Sequence, residues 1–171
     1  MGTITLITGG ARSGKSQQAL KLALPYQRKF FVATGQALDD EMTARIEFHR
    51  TTRPEAFQTV EEPIEVVAAL EKLGETADLV VLDCLTLWIS NLMYGRDDGP
   101  VLAEADKLAA ALQEASFASI VVTDEVGSGI VPTDHAESRR FRDLLGWTNQ
   151  KVASVADEVL MMVAGYQMRV K

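Results

Sequence analysis

Short apolar runs recur along this chain, each closed by a glycine, a proline or an acid and followed by a longer stretch of mixed character; strands alternating with helices produce this pattern. Residues 3–8 form a β-branched run ending at a glycine pair, which predicts a buried first strand. A helix is predicted from Lys15, with good helix formers over 17–24 and a stop at Pro25. Residues 29–34 return to strand character and close at Gly35. Asp39 or Asp40 can cap the next helix, which carries Met42, Ile46 and His49 at i, i+4 and i+7 and must end before Pro54, with His49 in its last turn or just beyond. A short strand over 57–60 leads into a helix over 63–73, with Pro63 at its first position and Gly74 at its end.

The second half continues in the same way. Residues 79–82 are a fully apolar strand ending in Asp83, 85–93 are helical, 96–100 form a polar loop, and an Ala-rich helix runs to about Glu114. A strand over 119–123 ends at Asp124, and a long helix is predicted over 136–156. The segments 159–164 and 167–170 flank Gly165 and Tyr166, which predicts a hairpin and so one antiparallel edge strand. The expected architecture is α/β: a three-layer, mostly parallel sheet with a C-terminal antiparallel hairpin, in a single domain over 1–171. Ligands of such sheets gather at the carboxyl ends of the strands, where Thr8, Thr34, Glu61, Asp83 and Asp124 all fall.

Composition narrows this picture. A chain of 171 residues, 47 % apolar and 24 % charged, can bury its own core without cross-links. Its single cysteine, Cys84, excludes an internal disulfide, and two histidines with one cysteine cannot build a structural zinc site; carboxylate-held Mg²⁺ stays open. A formal charge of −7 argues against a nucleic-acid or anionic-membrane surface. Met1 to Thr8 has no basic start, and no apolar stretch approaches the roughly 20 residues of a membrane span. These features predict a cytoplasmic protein.

Gly9, Gly10, Ala11, Arg12, Ser13, Gly14, Lys15 and Ser16 fit the phosphate-binding loop pattern in full, between a predicted strand and a predicted helix. Glycines let backbone N–H groups turn toward phosphate oxygens, and the helix N-terminus adds its positive end. Lys15 reaches the β- and γ-phosphates, and the Ser16 hydroxyl ligates Mg²⁺. Asp83, closing an apolar strand, has the position of a second metal-holding acid; a capping role before the next helix fits the same residue.

His49 lies beside Arg50 and Arg53, whose guanidinium groups can grip phosphate in a fork. A neutral imidazole there can serve as base or as nucleophile toward phosphorus; it can equally be a helix-end histidine answering the macrodipole. His135 reads as a surface residue. Asp124 and Glu125, followed by Gly127 and Gly129, can form a wall over a ligand, with Glu125 a candidate for metal, base or substrate contact, or simply a loop. Arg139, Arg140 and Arg142 can face phosphate or line a solvated helix face.

Taken together, the phosphate loop from Thr8 to Ser16, Ala33-Thr34, Asp39-Asp40-Glu41-Met42 with Arg45-Ile46, His49 with Arg53-Pro54, Asp83-Cys84-Leu85-Thr86 and Glu125-Val126-Gly127-Ser128-Gly129-Ile130-Val131-Pro132 resemble the bifunctional adenosylcobinamide kinase/adenosylcobinamide-phosphate guanylyltransferases of cobalamin synthesis. The resemblance runs nearly end to end. It implies a RecA-type core and two reactions at one phosphate loop. ATP or GTP first phosphorylates adenosylcobinamide; His49 then takes GMP from GTP and passes it to adenosylcobinamide phosphate. It further implies that residues 9–16 hold the nucleotide phosphates, with Lys15 catalytic. Ala33, Thr34, Gly35, Arg50, Thr51, Thr52 and Arg53 lie near the nucleotide, Glu61 contacts guanine or ribose, and Asp83 contacts the nucleotide or a metal. Members are homo-oligomers, here trimers. The residues taken without the resemblance also admit a P-loop small-metabolite kinase with a structural His49, or a GTP-binding regulatory module. The latter lacks an Asn-Lys-x-Asp segment, since neither Asn91 nor Asn149 is followed by Lys.

Overall fold

Seven strands hydrogen-bond into one sheet in the order β3-β2-β4-β5-β1-β6-β7. The computed structural model describes residues 1–52, 56–129 and 134–171, the side chains of Arg45, Phe48, His49 and Thr52 apart. The strands are β1 (Ile4–Gly9), β2 (Lys29–Ala33), β3 (Phe57–Glu61), β4 (Leu79–Asp83), β5 (Ala118–Val122), β6 (Glu158–Val163) and β7 (Tyr166–Arg169); the helices are α1 (Lys15–Leu22), α2 (Asp40–Thr52), α3 (Val66–Leu73), α4 (Leu85–Met93), α5 (Asp98–Glu114) and α6 (Ala136–Val155). All pairings are parallel except β6 with β7. The expected α/β sheet with its terminal hairpin is thus the one observed.

The two central strands explain why their sequences lack polar alternation. β4 and β5 have neighbours on both edges and helix or side chain on both faces, so residues 79–82 and 118–122 are all buried. Their side chains divide by parity. Val80, Leu82 and Val121 enter a large core with Leu70, Trp88, Ile89, Leu108, Leu144 and Leu145 from the helices α3 to α6. Leu79, Val81, Ile120 and Val122 face a smaller core, closed by Ala19 and Ala23 around α1 and by Phe31 and Phe57, whose rings meet edge to face at 6.1 Å. The layers on the two faces are therefore unequal.

Most strand and helix ends fall within one or two residues of the sequence expectation, and three differences have a local cause. α3 starts at Val66 rather than Pro63, because Glu62 Oε1 accepts hydrogen bonds from Ile64 N at 3.0 Å and Glu65 N at 2.8 Å and holds this stretch as a turn. α5 starts at Asp98 and takes Gly99 and Pro100 into its first turn, where a missing N–H costs no helical bond. The hairpin turns on Ala164 and Gly165, not on Gly165 and Tyr166: φ is 50° and 88°, both left-handed, and Val163 pairs with Tyr166.

A left-handed Ala costs about 1–2 kcal/mol relative to a residue that tolerates this region. Ala164→Asn is expected to stabilise the chain by about 1 kcal/mol, raising Tm by roughly 2–4 °C in a thermal unfolding experiment. An unchanged or lower Tm would count against a strained turn.

Candidate active site

β1 ends at Gly9, α1 begins at Lys15, and the loop between them bends where glycine is required. Gly9 has φ 147°, and a Cβ there would stand 2.5 Å from Met162 O. Gly14, the residue before α1, has φ 100°. No side chain caps that helix end, so its positive end is left for a ligand. Gly10 meets nothing within 4 Å, so its Cβ space is open. Arg12 adopts φ 57° and is exposed, as is Ala11. The loop is braced from behind by the terminal hairpin, whose Gly165 N donates to Ser13 O at 3.0 Å. Ser13 Oγ is buried and has no partner among the described residues, which suits a hydroxyl that a phosphate oxygen would engage.

Lys15 and Ser16 open the helix and point to two different acids. Lys15 Nζ donates to Gly10 O at 2.6 Å and pairs with Asp124 Oδ1 at 2.7 Å, the lysine side chain being 10 % exposed. Ser16 Oγ donates to Asp83 Oδ2 at 3.1 Å. The sheet order explains both contacts: β5 lies between β1 and β4, so Asp124, just past β5, stands between the phosphate loop and Asp83. Hydrogen bonds prolong the ladder beyond the strand ends, from Thr123 N to Ile7 O at 2.9 Å and from Glu125 N to Gly9 O at 3.1 Å. Asp124 N donates to Thr86 Oγ1 at 2.9 Å, and Asp124 O accepts from Asn149 Nδ2 at 3.2 Å. Beside them, desolvation and the charge of Asp83 push the Cys84 thiol up to about 12, so it is neutral at physiological pH.

The other expected residues divide into supports and rim groups. Thr34 is buried; its hydroxyl donates to Cys84 O at 2.7 Å and accepts from Cys84 N at 2.9 Å, joining the ends of β2 and β4. Ala33 O accepts from Glu62 N at 2.9 Å. Gly35 lies under Ile46 and Leu87, with both side chains within 3.5 Å of where a Cβ would stand. Arg50 and Glu61 form an ion pair with each other, more than half exposed on both sides, so it contributes little to stability. Thr51 Oγ1 bonds back to Glu47 O at 3.0 Å on its own helix. The backbone puts His49 in the last turn of α2; its side chain, those of Thr52 and Arg53, and the 130–132 end of the Gly-rich loop lie outside the described residues. Glu125 Oε1 accepts from Gly127 N at 2.7 Å and Ser128 N at 3.1 Å, closing its own turn. Arg140 pairs with Asp98 at 2.6 Å and Arg142 with Asp143 at 2.9 Å.

Three residues that organise the site escaped the sequence reading as organisers. Thr86 and Asn149 clamp the backbone of Asp124. Asn91 Nδ2 donates to Thr34 O at 2.8 Å and to Pro63 O at 3.0 Å, tying two rim loops to α4. A polar side chain beside the apolar stripe of a helix, as Asn149 is beside Leu145 and Val152, is the signal that could have found them.

Comparison with known proteins identifies the family. Residues 5–170 match the family described as cobinamide kinase/cobinamide phosphate guanyltransferase. The chain is 40 % identical over 179 residues to the bifunctional adenosylcobalamin biosynthesis protein CobU of Escherichia coli (strain K12), covering 97 % of this chain and 98 % of that protein. It is also 40 % identical over 167 residues to the protein CobP of Pseudomonas aeruginosa, which bears the same description, covering 97 % and 96 %. Among solved structures, an ATPase of a bacterial type III secretion system superposes with TM-score 0.57 at 12 % identity, over 94 % of this chain and 51 % of that one. The VirB11 ATPase of Brucella suis, in complex with sulphate, gives 0.51 at 14 % identity, over 99 % and 48 %. This chain thus spans about half of either ATPase, and the likeness concerns the fold. The phosphate loop and the full-length match lead to one assignment: the chain belongs to the cobinamide kinase/cobinamide phosphate guanyltransferase family.

Proposed function

We propose that this chain, as one nucleotide-binding domain over 1–171, performs both reactions of its family in cobalamin biosynthesis. It phosphorylates the hydroxyl of adenosylcobinamide with ATP or GTP, and transfers GMP from GTP to the resulting phosphate to give adenosylcobinamide-GDP. The observation that carries this reading is the phosphate loop with Lys15 and the Ser16–Asp83 contact at its helix end, in a chain matched to the family from residue 5 to 170.

In the guanylyl half, an imidazole nitrogen of His49 attacks the α-phosphorus of GTP and pyrophosphate leaves. A phosphate oxygen of adenosylcobinamide phosphate then attacks the same phosphorus, the P–N bond breaks, and the imidazole is regenerated. Residues 9–16 hold the phosphates of the nucleotide in both halves, with Lys15 on the β- and γ-phosphates. Ala33, Thr34, Gly35, Arg50, Thr51, Thr52, Arg53 and Glu61 border the nucleotide. Ser16 and Asp83 supply two hard oxygens that would suit Mg²⁺. When bound, that ion neutralises charge on the phosphate oxygens. The chain works as a cytoplasmic homo-oligomer, a trimer. Support for assembly comes from β7, an edge strand whose Tyr166 and Met168 are 80 % and 58 % exposed. Among the described residues no helix is long and apolar enough to cross a membrane.

Incubation with Mg²⁺ and GTP labelled at either the α- or the γ-phosphate tests the reading. The expected result is acid-labile, alkali-stable label on denatured protein from α-labelled GTP alone, absent from His49→Ala. No α-label despite intact nucleotide binding would leave a P-loop kinase as the better account. For the ion, Asp83→Asn is expected to raise the Mg²⁺ concentration needed for half-maximal turnover by roughly 10- to 100-fold. An unchanged Mg²⁺ dependence would remove Asp83 from that role.

A further inference from the structure

Beside Glu62, which holds the turn before α3, four carboxylates stand at the carboxyl rim of the sheet among the described residues, and three of these are already engaged. Asp83 accepts from Ser16, Glu61 is paired with Arg50, and Glu125 closes its own turn through Gly127 and Ser128. The fourth, Asp124, touches the loop lysine itself, 2.7 Å from Lys15 Nζ, with its side chain 27 % exposed. Its backbone is fixed on both sides, by Thr86 through the N–H and by Asn149 through the carbonyl; Asn149 is in turn held by Thr123 Oγ1, which donates to Asn149 Oδ1 at 2.7 Å. A carboxylate on a clamped strand end is well placed for work that needs fixed geometry.

An entering nucleotide must break this pair. Lys15 is the residue that reaches the terminal phosphates, so a bound triphosphate competes with Asp124 for the same ammonium. When Lys15 turns to phosphate, Asp124 loses its counter-charge and is left next to the phosphoryl group that Lys15 now contacts. Phosphoryl transfer to a hydroxyl needs a group at that position to take the hydroxyl proton, and a carboxylate performs this in other kinases.

We propose that Asp124 is the proton acceptor of the kinase half-reaction, released for it by the transfer of Lys15 from carboxylate to phosphate. The acceptor oxygen forms its bond to the γ-phosphorus, the bond from that phosphorus to the β–γ bridging oxygen breaks, and the nucleoside diphosphate departs with that electron pair. The hydroxyl proton passes to Asp124 Oδ and later to water. The guanylyl half does not call on this group, because its acceptor is already a phosphate oxygen. This inference rests on the two-reaction reading above.

The test compares wild type, Asp124→Asn and Asp124→Glu in three measurements: phosphorylation of adenosylcobinamide at saturating Mg²⁺ and nucleotide, protein labelling from α-labelled GTP, and nucleotide Kd. Asp124→Asn is expected to lower kcat for phosphorylation roughly 100- to 10,000-fold. Its loss in protein labelling should be smaller by at least about 30-fold, and its nucleotide Kd no weaker than wild type, which also reports an intact fold. Asp124→Glu, which keeps the carboxylate, should recover part of the phosphorylation rate. A kcat within about threefold of wild type in Asp124→Asn would overturn the proposal. So would equal losses in both reactions, or a weakened Kd, since Asp124 would then serve Lys15 or the fold alone. Wild-type enzyme that fails to phosphorylate adenosylcobinamide would instead overturn the two-reaction reading, and this inference with it.

Discussion

An ammonium that is nine-tenths covered by protein must be balanced, and Lys15 sets that demand at the centre of the rim. Leaving a buried charge without a counter-ion costs several kcal/mol, so the ammonium must meet an anion. Asp124 and the Gly10 carbonyl meet the demand. Their positions arise from strand order, since β5 runs between β1 and β4 and delivers its terminal acid beside the loop. The rest of the rim is then set in register: Ser16, one residue beyond Lys15, turns toward Asp83 at the end of the next strand but one. The same insertion of β5 separates the cation of the loop from the acid that faces Ser16, so the two carboxylates take different partners instead of competing for one.

The shape of the loop depends on what stands behind it. The left-handed residues Gly9 and Gly14 bring backbone into van der Waals contact with β6 and the hairpin turn, as shown by Met162 O near Gly9 and the Gly165 Cα at 3.4 Å from where a Gly14 Cβ would be. The hairpin is thus more than an edge cover. On the other flank, Thr34 and Asn91 knit the ends of β2 and β4 to α4, and Trp88 Nε1 donates to Ile64 O at 2.9 Å from full burial. Backbone polar groups that a loop would otherwise leave to water are satisfied here by side chains from one helix, which fixes the rim as a surface.

The elements legible in the sequence were those whose cause is local. Period-two and uninterrupted apolar runs disclosed the seven described strands, Gly74 marked the end of α3, and Pro25 and Gly35 lie two to three residues past the ends of α1 and β2, because hydrophobic burial and backbone restriction act within a few residues. Pro63 misled for the same reason: a proline fits the first position of a helix, but the Glu62 carboxylate captured the next amides first. The hairpin turn shifted by one residue because Ala164 takes a left-handed conformation that its own chemistry does not favour. For the site, the glycine-rich loop between β1 and α1 and the place of Asp83 at the end of β4 could be read from spacing. The Lys15–Asp124 and Arg50–Glu61 pairs could not, since they join segments 109 and 11 residues apart whose meeting depends on sheet order and on the path of α2.

Sheet order also bears on how one loop can serve two reactions. The end of β2, from which α2 departs, lies three strand spacings from β1, about 14 Å across the rim. α2 has 13 residues, about 20 Å of helix, and Ile46 keeps it against Gly35 and Leu87 at the β2–α4 side. The segment that carries His49 is therefore anchored on one side of the phosphate loop, while Asp124 is anchored on the β5 side, next to Lys15. On the proposed reading, the groups for attack on phosphorus and for proton transfer arise from separate elements and share only the loop. A substitution on one element can then alter one reaction without moving the backbone that positions the other. A single phosphate loop with two lateral reactive segments needs no second nucleotide site, provided that the nucleotide is held by backbone and Lys15 and the acceptor selects which segment acts.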